Sequence, residues 1–496
     1  MRKTKIICTL GPSTDRPGVL KELMMEGTIG PAVDNPEMLE ELMKAGMNVA
    51  RINFSHGNYE DQKDRIETIK KVRAKLGKPV ALLLDTKGPE IRIGKVADPN
   101  GIELKAGDVF RFVNEDIDGD KERISVSYKN LYKEISVGTV ILINDGTIET
   151  KVKEIDGEDI VCEVLVGGKL TNRKSMNIPG SKINLPSLTE KDIDDLTFGA
   201  KAGFDYVAAS FIRKPEDVIN IRKVLVDNGG ENIKIISKIE NREGIENFDK
   251  ILEVSDGIMV ARGDLGVEIP MEEVPIRQKE FIQKCIKAGK PVVTATQMLE
   301  SMTSNPRPTR AEVSDVANAV YDMTTAIMLS GETASGKYPV KCVETMDKIA
   351  QAVEGTIKYW KRFKNRDHII ENEDSEYNLN YATCTTAMDL KAKAIFAYTD
   401  TGRTAKRIAG FGPQCPVYAI TANEQLSREL SLVWNTSTIL VEKDENIDKM
   451  IENGVKKAKE EGLIQEGDLI VIAGGASILS GARTDLNKTI GGILKV

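Results

Sequence analysis

Histidine is almost absent from this chain of 496 residues, which contains only His56 and His368. A Ser-His-Asp triad, a zinc site with two histidines or a phosphohistidine carrier needs a histidine beside a recognisable partner motif. Neither histidine has such a neighbour in the sequence. The chemistry of this protein must therefore depend on carboxylates, lysine, arginine and hydroxyl groups.

Paired cysteines and long apolar runs are also missing. The six cysteines are scattered and include no C-x-x-C pair. This pattern favours reduced thiols in the cytoplasm over a disulfide framework or a zinc site. No stretch of about 18 apolar residues is present that could span a bilayer. The short apolar run near the amino terminus is interrupted by Gly11 and Pro12, so we expect no secretory signal.

A strong excess of charge of one sign is absent as well. The net charge is −7, and no block of lysine or arginine stands out. Nucleic acid and anionic membranes are therefore not expected as partners. The length exceeds what one hydrophobic core usually supports, so we expect roughly two to four domains.

Eight short apolar runs recur along the first 330 residues, and helix-period segments such as NPEMLEELMKAG lie between most of them. Short, wholly apolar runs are typical of strands that are buried on both faces of a parallel sheet. The alternation predicts an α/β fold, a (β/α)8 TIM barrel. The runs are TKIICT, NVARINF, VALLLD, YVAASF, IKIISK, GIMVAR, VVTAT and AIMLS.

Three domains are predicted from the spacing of these runs. The barrel takes residues 1–87 and 187–356. Residues 88–186 contain alternating segments with Asn-Asp-Gly and Asp-Gly-Glu turns, which predict a small β-barrel domain inserted at the active-site end as a lid. In residues 357–496 apolar runs and helical segments alternate again, which predicts a C-terminal α/β domain.

Polar side chains follow the predicted strands at their carboxyl ends, where a barrel of this type collects its active-site loops. Lys238 and Glu240 lie two residues apart at one strand end, and Asp264 follows the next strand beside glycines. Two carboxylates without histidine or cysteine suit Mg²⁺ or Mn²⁺ with positions left open for substrate oxygens. A network of Lys-Glu-Asp salt bridges is the alternative, and the neighbouring glycines favour the metal.

Further rim residues add positive charge and oxygen atoms. Arg51 and Lys238 place two cations near the expected metal, as phosphoryl transfer requires, and Thr296 supplies a hydroxyl group. A second, oxygen-rich group would suit a monovalent or divalent cation; its members are Asn53, Ser55, Asp85 and Thr86.

A loop in the third domain has the composition of a phosphate site. It follows the first predicted strand of that domain and would lie at a helix N-terminus, where backbone N–H groups and an arginine can hold a phosphate. A capped turn with surface charge explains the same residues equally well. They are Thr399, Thr401, Gly402, Arg403 and Thr404.

Six motifs, in their order and spacing, resemble the pyruvate kinase family: ARINFSHG, LDTKGPEIR, IKIISKIENREG, DGIMVARGDLG, TATQMLESM and MLSGETASG. The resemblance covers nearly the whole chain. It implies transfer of the phosphoryl group of phosphoenolpyruvate to ADP in glycolysis, which gives pyruvate and ATP. It also implies Mg²⁺ (or Mn²⁺) and K⁺ as cofactors, a sugar-phosphate effector at Thr399 to Thr404, and a homotetramer.

The resemblance implies roles for individual residues. Glu240 and Asp264 would bind Mg²⁺, Lys238 would stabilise the transferring phosphoryl group, and Arg51 would hold the substrate phosphate. Thr296 would lie near the route by which the enolate gains its proton. Three residues would meet the substrate carboxylate: Gly263, Asp264 and Thr296.

The potassium and nucleotide sites are implied in the same way. Asn53, Ser55, Asp85 and the Thr86 carbonyl match the family's K⁺ site, and Glu90 resembles the K⁺-dependent members, where lysine would mark independence. The nucleotide side is matched by Asn53, His56, Arg92 and Lys174. Two departures stand out. Met323 stands where the family usually has glycine, and Ser175 stands where many members have glycine beside Lys174, which weakens the nucleotide role of Lys174.

The largest departure is a tandem repeat of 19 residues. TLGPSTDRPGVLKELMMEG (9–27) is followed directly by TIGPAVDNPEMLEELMKAG (28–46), with ten identical positions. Both copies offer the same apolar helical stripe, so they compete for one slot on the barrel. The second copy starts better, with Asn35 as N-cap and Pro36 at the first helical position, whereas Gly18 weakens the first. We therefore predict that the second copy fills the slot.

Two other functions remain open at this point. The repeat near the first strand would suit a catalytically silent homologue that acts as an effector-binding or assembly protein. A metal-dependent aldolase on the same barrel would share enolate chemistry, but it would need neither the K⁺-type cluster nor the inserted lid.

Overall fold

A computed structural model describes residues 2–11, 35–55, 58–365, 375–444, 447–474 and 492–495. The first twelve strands are β1 (Lys5–Leu10), β2 (Val49–Asn53), β3 (Ala81–Asp85), β4 (Ile91–Arg92), β5 (Ile102–Leu104), β6 (Val109–Val113), β7 (Arg123–Ser125), β8 (Val140–Ile143), β9 (Ile148–Asp156), β10 (Asp159–Val166), β11 (Gly168–Leu170) and β12 (Ser175–Asn177). The others are β13 (Tyr206–Ala209), β14 (Lys234–Ile239), β15 (Gly257–Ala261), β16 (Val292–Ala295), β17 (Ala326–Leu329), β18 (Ala394–Tyr398), β19 (Val417–Thr421), β20 (Thr436–Leu440), β21 (Leu469–Gly474) and β22 (Gly492–Lys495).

The described helices follow in the same order. They are α1 (Pro36–Ala45), α2 (Tyr59–Leu76), α3 (Leu131–Glu134), α4 (Glu190–Ala202), α5 (Pro215–Asp227), α6 (Arg242–Glu246), α7 (Phe248–Val254), α8 (Arg262–Glu268), α9 (Glu273–Ala288), α10 (Arg310–Tyr321), α11 (Gly331–Ala334), α12 (Pro339–Glu354), α13 (Tyr359–Lys364), α14 (Ser375–Asp389), α15 (Arg403–Gly410), α16 (Glu424–Glu429) and α17 (Ile447–Glu460). Two short 3₁₀ helices cover Glu300–Thr303 and Leu430–Leu432.

Eight parallel strands close into a barrel in the order β1-β17-β16-β15-β14-β13-β3-β2. Every residue of β1, β3 and β15 is buried, because interior side chains cover one face of each strand and helices cover the other. All eight predicted strands are confirmed, and with them the (β/α)8 barrel.

The inserted domain lies between β3 and β13. Seven of its strands form one sheet in the order β4-β12-β8-β9-β10-β6-β7, and β11 pairs with β5. Both sheets share one hydrophobic core, which includes Phe110, Phe112 and Ile141. The insertion follows the carboxyl end of β3, so it is attached at the end of the barrel where the active-site loops collect.

The C-terminal domain has a five-stranded sheet in the order β20-β19-β18-β21-β22, with β22 antiparallel to β21. It contacts the amino ends of the barrel strands. Lys5 Nζ, at the start of β1, donates to the carbonyl of Thr436 at 2.5 Å. Arg428 Nε donates to Asp205 Oδ1, just before β13, at 2.9 Å. This α/β domain therefore lies at the opposite end of the barrel from the inserted one.

The second copy of the repeat fills the first helical slot of the barrel, as predicted. The side chain of Asn35 accepts hydrogen bonds from the backbone N–H groups of Glu37 and Met38. On the inner face of α1, four residues are buried against the barrel core: Met38, Leu39, Leu42 and Met43. The described chain leaves β1 at Gly11 and resumes at Asn35; residues 12–34, which hold most of the first copy, lie outside the described residues.

Membrane insertion through a helix finds no support in the described part of the chain, since none of its helices combines the length and apolar character that a span requires.

The repeat yields a direct stability prediction. Leu42 is fully buried, so Leu42→Ala should lower the free energy of unfolding by about 2–5 kcal/mol through lost burial and a residual cavity. Urea unfolding followed by fluorescence and circular dichroism measures this change. The matched control is Leu23→Ala, at the repeated position of the first copy, for which a smaller loss is expected. A larger loss for Leu23→Ala than for Leu42→Ala would contradict the assignment of the slot.

Candidate active site

The carboxyl ends of neighbouring barrel strands bring the predicted rim residues together. Arg51 lies in β2, and Asp85 ends β3. Lys238 lies in β14, while Glu240 follows that strand directly. Because all eight strands are parallel, these side chains meet at one face of the barrel.

Lys238 lies at the centre of this group. Its Nζ atom is 2.8 Å from Ser210 Oγ, 2.9 Å from Glu240 Oε1 and 3.3 Å from Asp85 Oδ1. Burial lowers the pKa of Lys238, but the charges of Asp85, Glu240 and Asp264 raise it more, so it lies above its ordinary value. The charged form of the ammonium group is thus favoured, and oxygen atoms hold it on several sides.

Asp85 joins the two cations of the rim. It is 1% exposed, and Arg51 Nε donates to its Oδ2 atom at 2.7 Å while Lys238 approaches Oδ1. Burial raises the pKa of Asp85, but the charges of Arg51 and Lys238 lower it more, so it lies below its usual range. Asp85 therefore remains a carboxylate and fixes the positions of both cations.

Glu240 has one oxygen atom that no hydrogen-bond donor satisfies. Its Oε2 atom accepts from the backbone N–H of Phe211 at 2.6 Å. Its Oε1 atom is buried and has no hydrogen bond with any described residue, although Lys238 Nζ lies 2.9 Å away in an ion pair that is not aligned as a hydrogen bond. Burial, together with the charge of Asp264, raises the pKa of Glu240 to about 7. A buried carboxylate oxygen that has an ion pair but no hydrogen bond can still accept a metal ion.

Asp264 is the second carboxylate that fits a metal. It lies in the first turn of α8, is half-buried, and has no ion pair or hydrogen bond with another described residue. No group of three or more His, Cys, Asp or Glu side chains could hold a metal within the described ranges. Glu240 and Asp264 would therefore bind a cation only together with oxygens from another source, as the open coordination of Mg²⁺ allows.

Gly263 and Thr296 bond to each other at the ends of β15 and β16. The backbone N–H of Gly263 donates to Thr296 Oγ1 at 2.8 Å, and that hydroxyl donates to the carbonyl of Ala295 at 2.6 Å. Thr296 has a positive φ of 69°, which is unusual for a β-branched residue and is common where backbone is held for function.

Hydrogen bonds and strand pairing connect only some of the oxygen-bearing residues that were predicted to bind K⁺. Asn53 pairs with Asp85 across β2 and β3, and Asn53 Oδ1 accepts from the backbone N–H of Ser55 at 3.0 Å. The Thr86 carbonyl accepts from Ser210 Oγ at 2.6 Å. Asp85, Thr86 and Asn53 thus lie at adjacent strand ends, and Ser55 is two residues after Asn53.

A cleft with a volume of about 140 Å³ lies between the inserted domain and the barrel rim. Its lining includes Glu90 and Asn177 from the inserted domain and Asp264 and Glu268 from α8. Asn177 Nδ2 donates to Glu268 Oε1 at 2.9 Å. The inserted domain is therefore bonded directly to the helix that carries Asp264, above the rim.

Two of the residues predicted for the nucleotide, Arg92 and Lys174, are sequence neighbours of Ile91 and Ser175, which line this cleft. Arg92 Nε lies 2.5 Å from Glu90 Oε1, and Arg92 Nη1 donates to the carbonyl of Arg173 at 2.8 Å. Lys174 is half-buried beside Ser175, whose hydroxyl donates to Asp145 at 3.0 Å. His56 lies outside the described residues.

The loop predicted for an effector phosphate is at the N-terminus of α15, in the C-terminal domain. Thr399 Oγ1 accepts from the backbone N–H of Gly402 at 2.9 Å, and Gly402 has a positive φ of 77°. Arg403 pairs with Glu376 at 2.7 Å, while Thr401 is exposed and Thr404 half-buried. The side chain of Thr399 therefore closes the turn before α15, and Arg403 already has an anionic partner.

Three contributors to the rim were not predicted from the sequence. Ser210 connects Lys238 with Asp85 and Thr86, Phe211 binds Glu240 through its backbone, and Thr9 binds Arg51. Ser210 directly follows an apolar run in YVAASFIRK, the same position that marks the other rim residues. The backbone contact of Phe211, which has a positive φ of 55°, leaves no comparable signal.

Two family models match the chain. The model described as the barrel domain of pyruvate kinase matches residues 25–343, and the one described as its alpha/beta domain matches residues 378–489. The chain belongs to the pyruvate kinase family. The barrel match begins in the middle of the repeat and includes all of α1. This agrees with the second copy filling the slot.

Individual pyruvate kinases are similar over almost the whole chain. The pyruvate kinase of Clostridium acetobutylicum is 50% identical over 489 residues, which covers 98% of this chain and 99% of the relative. That of Sporosarcina psychrophila is 46% identical, covering 98% of this chain and 80% of the relative. A crystal structure of a pyruvate kinase from Cryptosporidium parvum superposes with a TM-score of 0.90 at 39% identity, covering 100% of this chain and 96% of that one. These relatives support the assignment of this chain as a phosphotransferase.

The two family departures differ in their structural effect. Met323 has a positive φ of 67°, where a glycine would be unstrained. Its side chain lies in the crevice between the barrel and the C-terminal domain, beside Gly412. Ser175 is satisfied by Asp145. Neither residue contacts Lys238 or its partners.

The orphaned oxygen of Glu240 leads to a binding prediction. Glu240→Gln keeps the shape of the side chain and an acceptor for Phe211 but removes the charge, so Mn²⁺ affinity should fall about 10-fold or more. Mn²⁺ titration followed by electron paramagnetic resonance measures this without turnover. The matched control is Glu268→Gln, which changes a carboxylate already bonded to Asn177. Equal Mn²⁺ affinity in wild type and Glu240→Gln would exclude Glu240 as a ligand.

Proposed function

We propose that this protein transfers the phosphoryl group of phosphoenolpyruvate to ADP, producing pyruvate and ATP. The observation that carries the proposal is the rim itself: a largely buried lysine lies among Asp85, Ser210 and Glu240, and Glu240 Oε1 is compensated only by the ion pair with this lysine. Phosphoryl transfer needs converging positive charge and a metal-binding carboxylate and little else from the protein.

The silent-homologue alternative depended on the repeat disturbing the first βα unit of the barrel. In the structure α1 occupies its slot with Met38, Leu39, Leu42 and Met43 buried, and β1 pairs with both β2 and β17. Arg51 in β2 is bonded to Thr9 of β1 and to Asp85 of β3. The comparisons favour no silent function, and the enzyme assignment stands.

Arg51 and Lys238 act on the phosphoryl group in this proposal. Arg51 is oriented by Asp85 and offers its remaining N–H groups to phosphate oxygens, a geometry for which guanidinium is well suited. Lys238 carries a charge that is already desolvated and held in place, so it stabilises the developing negative charge without reorganising.

Glu240 and Asp264 would hold the divalent cation, Mg²⁺ or Mn²⁺. The cation would neutralise phosphoryl charge and complete its coordination with substrate oxygens. Binding a cation would also keep Glu240 ionised, which its burial otherwise opposes.

Gly263 and Thr296 would meet the carboxylate of phosphoenolpyruvate. In the structure the N–H of Gly263 donates to the hydroxyl of Thr296. When the substrate carboxylate binds, it would replace this hydroxyl as the acceptor of the Gly263 N–H. The hydroxyl of Thr296 would then be available near the methylene carbon that is protonated when the enolate becomes pyruvate.

Asn53, Ser55, Asp85 and the Thr86 carbonyl would bind K⁺, whose charge would assist nucleotide phosphates at the same rim. The nucleotide would enter the cleft below the inserted domain, near Asn53, His56, Arg92 and Lys174. The loop at Thr399–Thr404 would bind a sugar-phosphate effector, which would have to displace Glu376 from Arg403. We further propose a homotetramer, as in the family.

The direct test is pyruvate formation from phosphoenolpyruvate and ADP with Mg²⁺, in matched buffers with and without K⁺. We expect activity that rises with K⁺. Folded wild-type protein without turnover under either condition would overturn the proposed function.

The role of Glu90 is tested in the same assay. Glu90 lies between Lys87 at 3.5 Å and Arg92 at 2.5 Å, so its carboxylate offsets two cations beside the rim. In Glu90→Lys this carboxylate becomes an ammonium group, and we expect the dependence on K⁺ to be reduced or lost. Glu90→Gln controls for loss of the ion pairs. Unchanged K⁺ activation in Glu90→Lys would show that Glu90 does not determine the dependence on K⁺.

A further inference from the structure

Thr9 lies beside Arg51 at the rim and has no assigned role. It is the residue of β1 that pairs with Arg51 across the β1–β2 ladder, and it is 4% exposed. It is also the first residue of the tandem repeat, so the chain offers a second threonine in the same local sequence, Thr28. β1 contains Thr9.

The hydroxyl of Thr9 is held in one orientation. Thr9 Oγ1 donates its only proton to the carbonyl of Leu329, the last residue of β17, at 2.8 Å. Arg51 Nη1 then donates to the same oxygen at 2.7 Å. Because a hydroxyl has one proton and two acceptor positions, the bond to Leu329 leaves Thr9 Oγ1 as a pure acceptor towards Arg51.

The backbone of Thr9 is anchored as well. Its carbonyl accepts from Thr333 Oγ1 at 2.8 Å, and Thr333 lies in α11, immediately after β17. Thr9 is therefore held from the β17 side through both its backbone and its side chain. Movement of its hydroxyl relative to the rim is restricted by two separate contacts.

Two acceptors determine the plane of the Arg51 guanidinium. Asp85 Oδ2 takes the Nε proton at 2.7 Å and Thr9 Oγ1 takes an Nη1 proton. With Asp85 alone, the guanidinium could still swing about the Nε contact. With Thr9 in addition, its plane is fixed, and Nη2 has no acceptor in the part of the chain that the structure describes. That edge remains available for a phosphate, which guanidinium binds best in a fixed plane.

We propose that Thr9 is a positioning residue, which orients Arg51 for the phosphate of the substrate. The inference rests on the proposed function, since it gives Arg51 its phosphate. Thr9 itself touches no reacting atom and acts only through Arg51. Its hydroxyl connects Leu329 of β17 to Arg51 of β2. Misplacement of a phosphate-binding group by even a fraction of the contact distance reduces the rate, because the reacting groups lose alignment.

The primary variant is Thr9→Val, which keeps the branched shape and removes the acceptor. We expect kcat/KM for phosphoenolpyruvate to fall by about 10- to 100-fold, the range for loss of a hydrogen bond to a charged group. The KM for ADP should change much less, because Arg51 is assigned to the other substrate. Thr9→Ser restores the acceptor and should return kcat/KM close to wild type. Thr9→Ala provides a second variant without a hydroxyl if Thr9→Val folds poorly.

Two controls separate positioning from general damage to the barrel. Thr294→Val removes another fully buried threonine hydroxyl, in β16, which pairs with Thr324 Oγ1 at 2.9 Å; it should not reproduce the selective loss for phosphoenolpyruvate. A double-mutant cycle with Arg51→Lys tests the route of action. If Thr9 acts through Arg51, adding Thr9→Val to Arg51→Lys should cost little further kcat/KM.

Three results would overturn the inference. These are wild-type kcat/KM in both Thr9→Val and Thr9→Ala, failure of Thr9→Ser to recover activity, and full additivity of Thr9→Val with Arg51→Lys. The failure of the proposed function is distinguishable, because it would be seen as absent turnover in the wild-type enzyme itself. Wild-type turnover with an unaffected Thr9→Val would overturn the role of Thr9 alone.

Discussion

The site depends on one buried carboxylate that is shared by two buried cations. Asp85 accepts from Arg51 through one oxygen and is approached by Lys238 on the other. A buried cation without a partner is strongly destabilising, and so is a buried carboxylate. In this cluster the negative charge of Asp85 compensates the positive charges of Arg51 and Lys238. The cluster can therefore remain ionised inside the rim, where a low local dielectric makes its charges effective for catalysis.

This constraint explains why the rest of the rim is arranged as it is. Ser210 and Glu240 supply the other oxygens around Lys238, and Thr9 supplies the second acceptor for Arg51. The remaining imbalance lies at Glu240, whose Oε1 atom has an ion pair with Lys238 but no hydrogen bond, and whose pKa is raised. The protein alone does not complete this part of the site; a cation bound with Asp264 would. The inserted domain is bonded to α8, the helix that carries Asp264, through Asn177 and Glu268.

Much of the fold could be predicted from the sequence, because buried parallel strands produce short apolar runs that are hard to confuse with other elements. The strand ends then indicated Arg51, Asp85, Lys238 and Glu240, since charged residues at the carboxyl ends of such runs meet at one end of the barrel. The choice between the two repeats also followed from local chemistry. Asn35 caps α1 as expected from its side chain and from the proline that follows.

The remaining features depend on contacts between distant segments. Thr9 and Arg51 are brought together by strand register, and a threonine within an apolar run looks like an ordinary strand residue. The backbone N–H of Phe211 serves Glu240 only because the chain adopts a positive φ there. Arg403 in the predicted effector loop is paired with Glu376, a contact between α14 and α15 that sequence spacing could not reveal.

In the proposed reaction the desolvated charge of Lys238 stabilises the transferring phosphoryl group, and kcat of Lys238→Met with Mg²⁺ measures this role most directly. Lys234→Met, at the amino end of the same strand, is the control, with circular dichroism to verify folding. We expect kcat of Lys238→Met to fall by about 10²- to 10³-fold or more. The KM for phosphoenolpyruvate should change far less, and Lys234→Met should remain near wild type. A folded Lys238→Met enzyme with near wild-type kcat would show that Lys238 does not stabilise the transferring phosphoryl group.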